Sequence, residues 1–168
     1  MRSRAVIALV ALLALGCSPE LDWRELKSAE GGFSALMPAR PRHEVRKLSG
    51  APAVVMHLWS ARAAKSVFGV GYADYPAVDL RILDSTRDAL VKNIGGRVVE
   101  ERPLVQIGLA GSEFTAEGGS MFLKARLLVS GARLYQLVIL GERGALAAVD
   151  IELFLSSFQP LRSDNASG

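Results

Sequence analysis

The sequence predicts a single α+β domain, an antiparallel β-sheet flanked by helices, and three observations point there. Met121 to Leu140 (MFLKARLLVSGARLYQLVIL) holds two apolar runs hinged at Ser130-Gly131, which reads as a central β-hairpin. Further runs rich in β-formers are separated by glycine and proline turn signals along the whole chain. Helix spacing is carried by Leu83 to Ile94 and by the stretch from about Ala145 to Ser157. At 168 residues, with 50% hydrophobic and 22% charged content, the chain is sized for one core.

The chain opens MRSR and continues AVIALVALLALG. Two arginines followed by an apolar run from Ala5 to Leu15 have the layout of a secretion signal, and the run is shorter than the ~20 residues a spanning helix needs. Cys17, the sole cysteine, follows directly. Ala14-Leu15-Gly16-Cys17 resembles the lipobox of bacterial lipoproteins, whose cysteine is lipidated and becomes the mature N-terminus; the usual order before the glycine is Leu then Ala or Ser, and here it is Ala-Leu. An ordinary signal peptide leaving a free thiol is the alternative. Ser18 resembles the outer-membrane sorting choice. The expected organisation is a lipoprotein signal peptide over 1–16, a lipidated N-terminus and short tether over 17–30, the domain over 23–160 and a flexible tail over 161–168. Without Arg2 and Arg4, Lys+Arg falls from 20 to 18 against 17 acids, so the net charge drops from +3 to +1 and the balance does not call for nucleic acid.

Trp23 to Ser28, Glu30-Gly31-Gly32 and Phe33 to Met37 read as strand, turn and strand, in preference to a two-turn helix starting at Ser18-Pro19-Glu20. Arg42 to Lys47 is too polar for a buried strand and suits a sheet edge. Ala53 to Ala61 and Ser66 to Tyr75 are the next two strands. In the second, Gly69 and Gly71 share one face, which predicts a helix lying close over the bare backbone. Leu83 to Ile94 is the first helix, capped at Asp84 or Ser85 and stopped by Gly95-Gly96. Arg97 to Glu101 and Leu104 to Leu109 are two short strands divided by Arg102-Pro103, and Ser112 to Ala116 is one more.

In the central hairpin, Met121, Leu123, Ala125, Leu127 and Val129 fall on one face, and Lys124, Arg126 and Ser130 on the other, the period-2 pattern of a half-buried strand. The second arm is apolar on both faces, with Gln136 the polar residue after Arg133, as for a strand covered on both sides. The last helix places Ala147, Ile151, Phe154, Leu155 and Phe158 on one stripe and closes at Pro160. The expected core is Leu90, Leu127, Val129, Leu137, Ile139, Ile151, Phe154 and Phe158.

From Trp23 to Phe158 the sequence resembles the small exported proteins related to PsbP, the extrinsic subunit of photosystem II. The resemblance lies in EGGFSALMP, GLAGSEF, RLYQLVILG and FLSSF. It implies an antiparallel sheet flanked by helices in an α/β/α sandwich, and a non-enzymatic accessory or binding role within larger assemblies. It carries no catalytic residue across.

Chemistry is sparse. His43 and His57 are the only histidines, and His43-Glu44 point to opposite faces of a strand, so they do not converge on an ion. His57, between Met56 and Leu58, reads as a satisfied semi-buried residue rather than a base. Ser112 and Ser120 sit beside glycine but outside G-x-S-x-G, and no phosphate-loop pattern precedes a helix. Glu100-Glu101 and Glu113 with Glu117 are acid pairs that do general acid-base work only if they face a cleft; exposed carboxylates are the plainer reading. Arg40, Arg42, Arg46 and Lys47, with His43 among them, form the densest basic patch, for anionic head groups or a partner, or simply a solvated edge.

The sequence therefore predicts a membrane-anchored envelope lipoprotein, periplasm-facing and at the outer membrane, without cofactor or metal. It acts as a non-catalytic binding or accessory module for an envelope protein partner; the alternative is a carrier of a small hydrophobic ligand or lipid. A dry cavity above about 300 Å³ between the sheet and one helix favours the carrier.

Overall fold

The computed structural model describes residues 21–48 and 53–161. The expected signal peptide and Cys17, and the tail beyond Leu161, lie outside the described residues.

The N-terminal hairpin forms as expected. Strands β1 (Arg24–Ser28) and β2 (Phe33–Met37) pair antiparallel, with Arg24 opposite Met37 and Ser28 opposite Phe33. Residues 23–30 thus belong to the folded domain. Together with β10 (Gln159–Pro160) these strands make a separate three-stranded sheet in the order β1-β2-β10. The sequence pointed to one sheet; there are two, because the chain after the last helix turns back onto β2 at Ser34 and Phe33.

The main sheet has seven strands: β3 (Arg42–Leu48), β4 (Val54–Ala63), β5 (Ser66–Asp74), β6 (Arg97–Gln106), β7 (Leu109–Gly118), β8 (Met121–Ser130) and β9 (Arg133–Glu142). Their order is β3-β4-β5-β9-β8-β7-β6, with antiparallel neighbours throughout. The hairpin β8–β9 lies inside the sheet, and Gly131 (φ 58°) supplies the left-handed residue its tight turn needs. The charged strand β3 is an edge, as its composition predicts.

The other edge, β6, corrects the sequence reading. Arg102-Pro103 does not divide two short strands; one strand runs through it, pairing with β7 from Arg97 to Gln106 and shifting register between Val98 and Glu100. Proline is tolerated because an edge strand has a row of N–H groups that need no sheet partner. The strand read as Ser112 to Ala116 is likewise longer, Leu109–Gly118.

Helix α1 (Arg81–Asn93) starts earlier than expected, and neither Asp84 nor Ser85 caps it. Asp79 does that work from outside, its carboxylate accepting from the Arg81 backbone N–H at 3.0 Å. Gly95 (φ 57°) ends the helix, as predicted. Helix α2 (Ala148–Ser156) starts later than Ala145 because Ala147 is still extended.

The alternation along each strand sorts the core into two. On one side of the main sheet Phe68, Tyr72, Leu128, Leu137 and Ile139 meet Phe33 and Met37 of the small sheet and Phe154, Leu155 and Phe158 at the end of the chain. On the other side Phe114, Ala116, Leu123, Ala125, Leu127 and Leu134 meet Ile82, Leu83, Leu90 and Val91 of α1 and Ile94 just after it. Leu127, Leu137, Ile139, Phe154 and Phe158 are fully buried, as expected. Leu90, Val129 and Ile151 are half-buried. The molecule is mostly antiparallel sheet, and its two helices are not complete layers: α2 shares its side with the small sheet, and α1 has no fully buried residue.

Candidate functional site

On the α1 side, strands β4, β5 and β9 present Met56, Leu58, Val67, Val138 and Leu140, all apolar and all on one face by the strand period. Across from them α1 turns Ile82, Thr86, Ala89 and Leu90 towards the sheet. Between the two walls lies an open groove of about 840 Å³. That size falls within the ~300–1,000 Å³ of small-molecule sites.

The glycines of β5 are part of the reason, in a way that corrects the sequence reading. No helix lies close over them. A side chain at Gly71 would meet the His57 carbonyl oxygen at 2.6 Å, so the neighbouring strand requires that glycine. Gly69 differs: its nearest neighbour is the end of Leu58 at 3.4 Å, and it lines the groove. Its bare backbone contributes room to the groove.

The groove floor holds one buried polar side chain, Gln136, 6% exposed. Its amide nitrogen donates to the Met56 sulfur at 3.0 Å. A thioether is a weak acceptor. The sequence marked Gln136 as the odd residue of its strand but gave no sign that it faced a cavity.

The opposite face carries charge instead. Arg126, expected on a polar face with Lys124 and Ser130, is 4% exposed beneath α2. It forms an ion pair with Glu113, donates to Glu152 at 2.6 Å, and reaches Gln106 at 3.2 Å and Ser156 at 3.3 Å. Arg102 and Lys124 also contact Glu113, at 2.9 and 3.2 Å. Burial pushes the Glu113 carboxyl up, but the hydrogen bonds from Arg126 and Arg102 outweigh it and hold it at about 2. A carboxylate so firmly ionised is a poor proton carrier near neutral pH. Glu117 pairs instead with Arg143 at 3.2 Å, and Glu101 with Arg87 at 2.8 Å, so the acid pairs read from the sequence do not converge on one cleft. Among the described residues no three His, Cys, Asp or Glu side chains are grouped to hold a metal.

His57 is semi-buried, as expected, with 18% of its side chain exposed, but it is not satisfied: its Nδ1 is buried without a hydrogen-bond partner among the described residues. Its ring stacks on Tyr72 at 4.8 Å, His43 stacks on Trp59 at 4.2 Å, and the Arg133 guanidinium lies 4.3 Å over Tyr72. Arg133 also donates to the Gly31 carbonyl at 2.8 Å and holds Asp74, whose carboxyl its hydrogen bonds keep below the usual range. Tyr135 donates to the same carbonyl. This ladder fastens the β1–β2 turn to the main sheet.

The basic patch is divided by its strand. Arg42 and Arg46 share one face of β3 with Glu44, Lys47 falls on the other with His43, and Arg40 precedes the strand. Arg46 is paired with Glu44 at 2.6 Å. Arg46 also stands at the end of the groove.

The architecture that carries this groove is PsbP-like. The solution structure of cyanobacterial PsbP (CyanoP) from Synechocystis sp. PCC 6803 superposes with a TM-score of 0.55, covering 86% of this chain and 95% of that one at 13% identity. A crystal structure from Bacteroides thetaiotaomicron VPI-5482 aligns at TM-score 0.39 and 10% identity, over 83% of this chain and 49% of that one, too low to weigh. No family model matches the chain, and no curated protein matches its sequence. At such identity the likeness is one of fold alone.

Proposed function

We propose that this protein is a non-catalytic binding module of the bacterial cell envelope, anchored by lipid on Cys17, facing the periplasm at the outer membrane, and that it takes up a small hydrophobic ligand in the groove beneath α1. The observation that carries the reading is the groove itself: about 840 Å³ of mostly apolar space between sheet and helix, open to solvent rather than the dry cavity expected of a carrier, but within the size range of small-molecule sites. A helix on either side of the main sheet supports reading the fold as a form of the α/β/α sandwich. Two or more acyl chains at the N-terminus hold stably, so the domain needs no apolar surface of its own to stay on the membrane.

An envelope protein partner is the second reading, in which the module works through its outer surface. In-cell crosslinking of the anchored protein, followed by identification of what is attached, separates the two. A lipid or other apolar small molecule at one per chain supports the carrier. One stoichiometric protein partner with no small molecule overturns it in favour of the accessory module.

A further inference from the structure

The groove's occupant can be specified from its polar groups, on the footing that the groove is a ligand site. We infer that it selects an uncharged acyl ester with a hydroxylated head group, of the monoacylglycerol kind, whose ester carbonyl accepts a hydrogen bond from Gln136.

Gln136 sits in the middle of the sheet, opposite Gly71 on β5 and Leu127 on β8. No side-chain atom of Gln136 is both sealed from solvent and without a partner, so the capacity its one bond leaves unused is open to the groove. The side chain has two N–H donors and a carbonyl, and within the described residues it makes one bond, to a sulfur. A ligand that meets the amide from the groove side can take up that capacity in place of water. An ester carbonyl offers a strong oxygen acceptor where Met56 offers a weak one.

The same lining argues against a charged ligand. Among the described residues that line the groove Arg46 is the one charged side chain; it stands at the groove's end, exposed and paired with Glu44. A carboxylate or phosphate entering beside Gln136 loses its water for a single neutral dipole, which does not compensate an ion. The α1 wall adds Ser85, Thr86 and Asn93, hydrogen-bonding groups without charge, suited to glycerol hydroxyls. Met56, Leu58, Val138 and Leu140 are left for the acyl chain.

The test is native mass spectrometry of the full mature protein in detergent at pH 8, titrated with monoolein or with oleate. Wild type, Gln136→Met and Gly69→Leu are compared, with unfolding midpoints confirming that each variant is folded. Monoolein is expected to bind one per chain and oleate at least about tenfold more weakly; Gln136→Met weakens monoolein by about five- to tenfold, the worth of one good hydrogen bond. Gly69→Leu, which fills the floor, abolishes both. If oleate binds as tightly as monoolein, or Gln136→Met binds monoolein unchanged, the assignment of the ligand is overturned while the groove stands as a site. If neither binds to wild type, or a folded Gly69→Leu binds both unchanged, the ligand assignment and the groove reading fall together.

Discussion

Arg126 shows best how a residue is read and misread. Its parity was legible: it stands on the face opposite Leu123, Ala125 and Leu127, as the alternation of β8 requires. Its burial was not, because the element that covers it, α2, comes more than twenty residues later and nothing local announces the crossing. A buried pair broken on one side leaves a naked charge, so Arg126→Met is predicted to cost about 3–5 kcal/mol in urea unfolding. Adding Glu113→Leu to Arg126→Met recovers much of that loss; a double variant no better than the single one removes the ion pair from the account. The same carboxylate sets the acid limit. Its folded value of about 2 lies below the ordinary 4.5, so the stability it gives is complete above about pH 4.5 and drains away as pH falls toward about 2. Glu152 and Asp74 are shifted in the same direction. Unfolding midpoints are predicted to fall through that window, with the Glu113 contribution about 3 kcal/mol, and the fall to be shallower in the double variant.

At the scale of elements, periodicity located nearly every strand and both helices, and its failures have causes that a single chain segment does not display. Pro103 reads as a breaker, and becomes one only in a strand with neighbours on both sides; β6 has one. The two residues of β10 carry no periodic signal at all, and their pairing depends on where α2 sets them down. The helices differ in kind. Phe154 is fully buried against Phe68, ring centroids 5.2 Å apart and edge to face, whereas α1 buries none of its residues fully. Phe154→Ala is therefore predicted to cost about 3–5 kcal/mol, and Leu90→Ala about 1–2 kcal/mol. Equal losses in the two unfolding curves would mean that α1 closes onto the sheet as tightly as α2 does, leaving no groove between them. Gly69 and Gly71 were legible as a bare face; that one is required by backbone approach and the other leaves space became visible only with the neighbouring strands in place.

For the whole molecule, the fold was legible in the sequence, the lipid anchor is proposed from it, and the structure supplied the groove. The proposed anchor rests on Cys17 and its surroundings, and its consequence is simple to check: Cys17→Ser is predicted to leave the fold unchanged and to move the protein into the soluble envelope fraction. Continued sedimentation with membranes at both low and high salt would instead assign the attachment to a bound partner or to the Arg40–Lys47 region. The groove could not be read from the sequence because its walls, β4, β5, β9 and α1, are spread from Val54 to Leu140, and its volume is what their side chains fail to fill. The central claim is that this space is occupied in the cell. The most direct measurement is to purify the anchored protein from membranes, wash it free of bulk lipid, extract it with organic solvent and quantify small molecules per chain, for wild type and for Gly69→Leu. The predicted result is close to one apolar molecule released per wild-type chain, beyond the covalent lipid on Cys17, and almost none from a folded Gly69→Leu variant. Equal release from both, or none from wild type, would contradict the account.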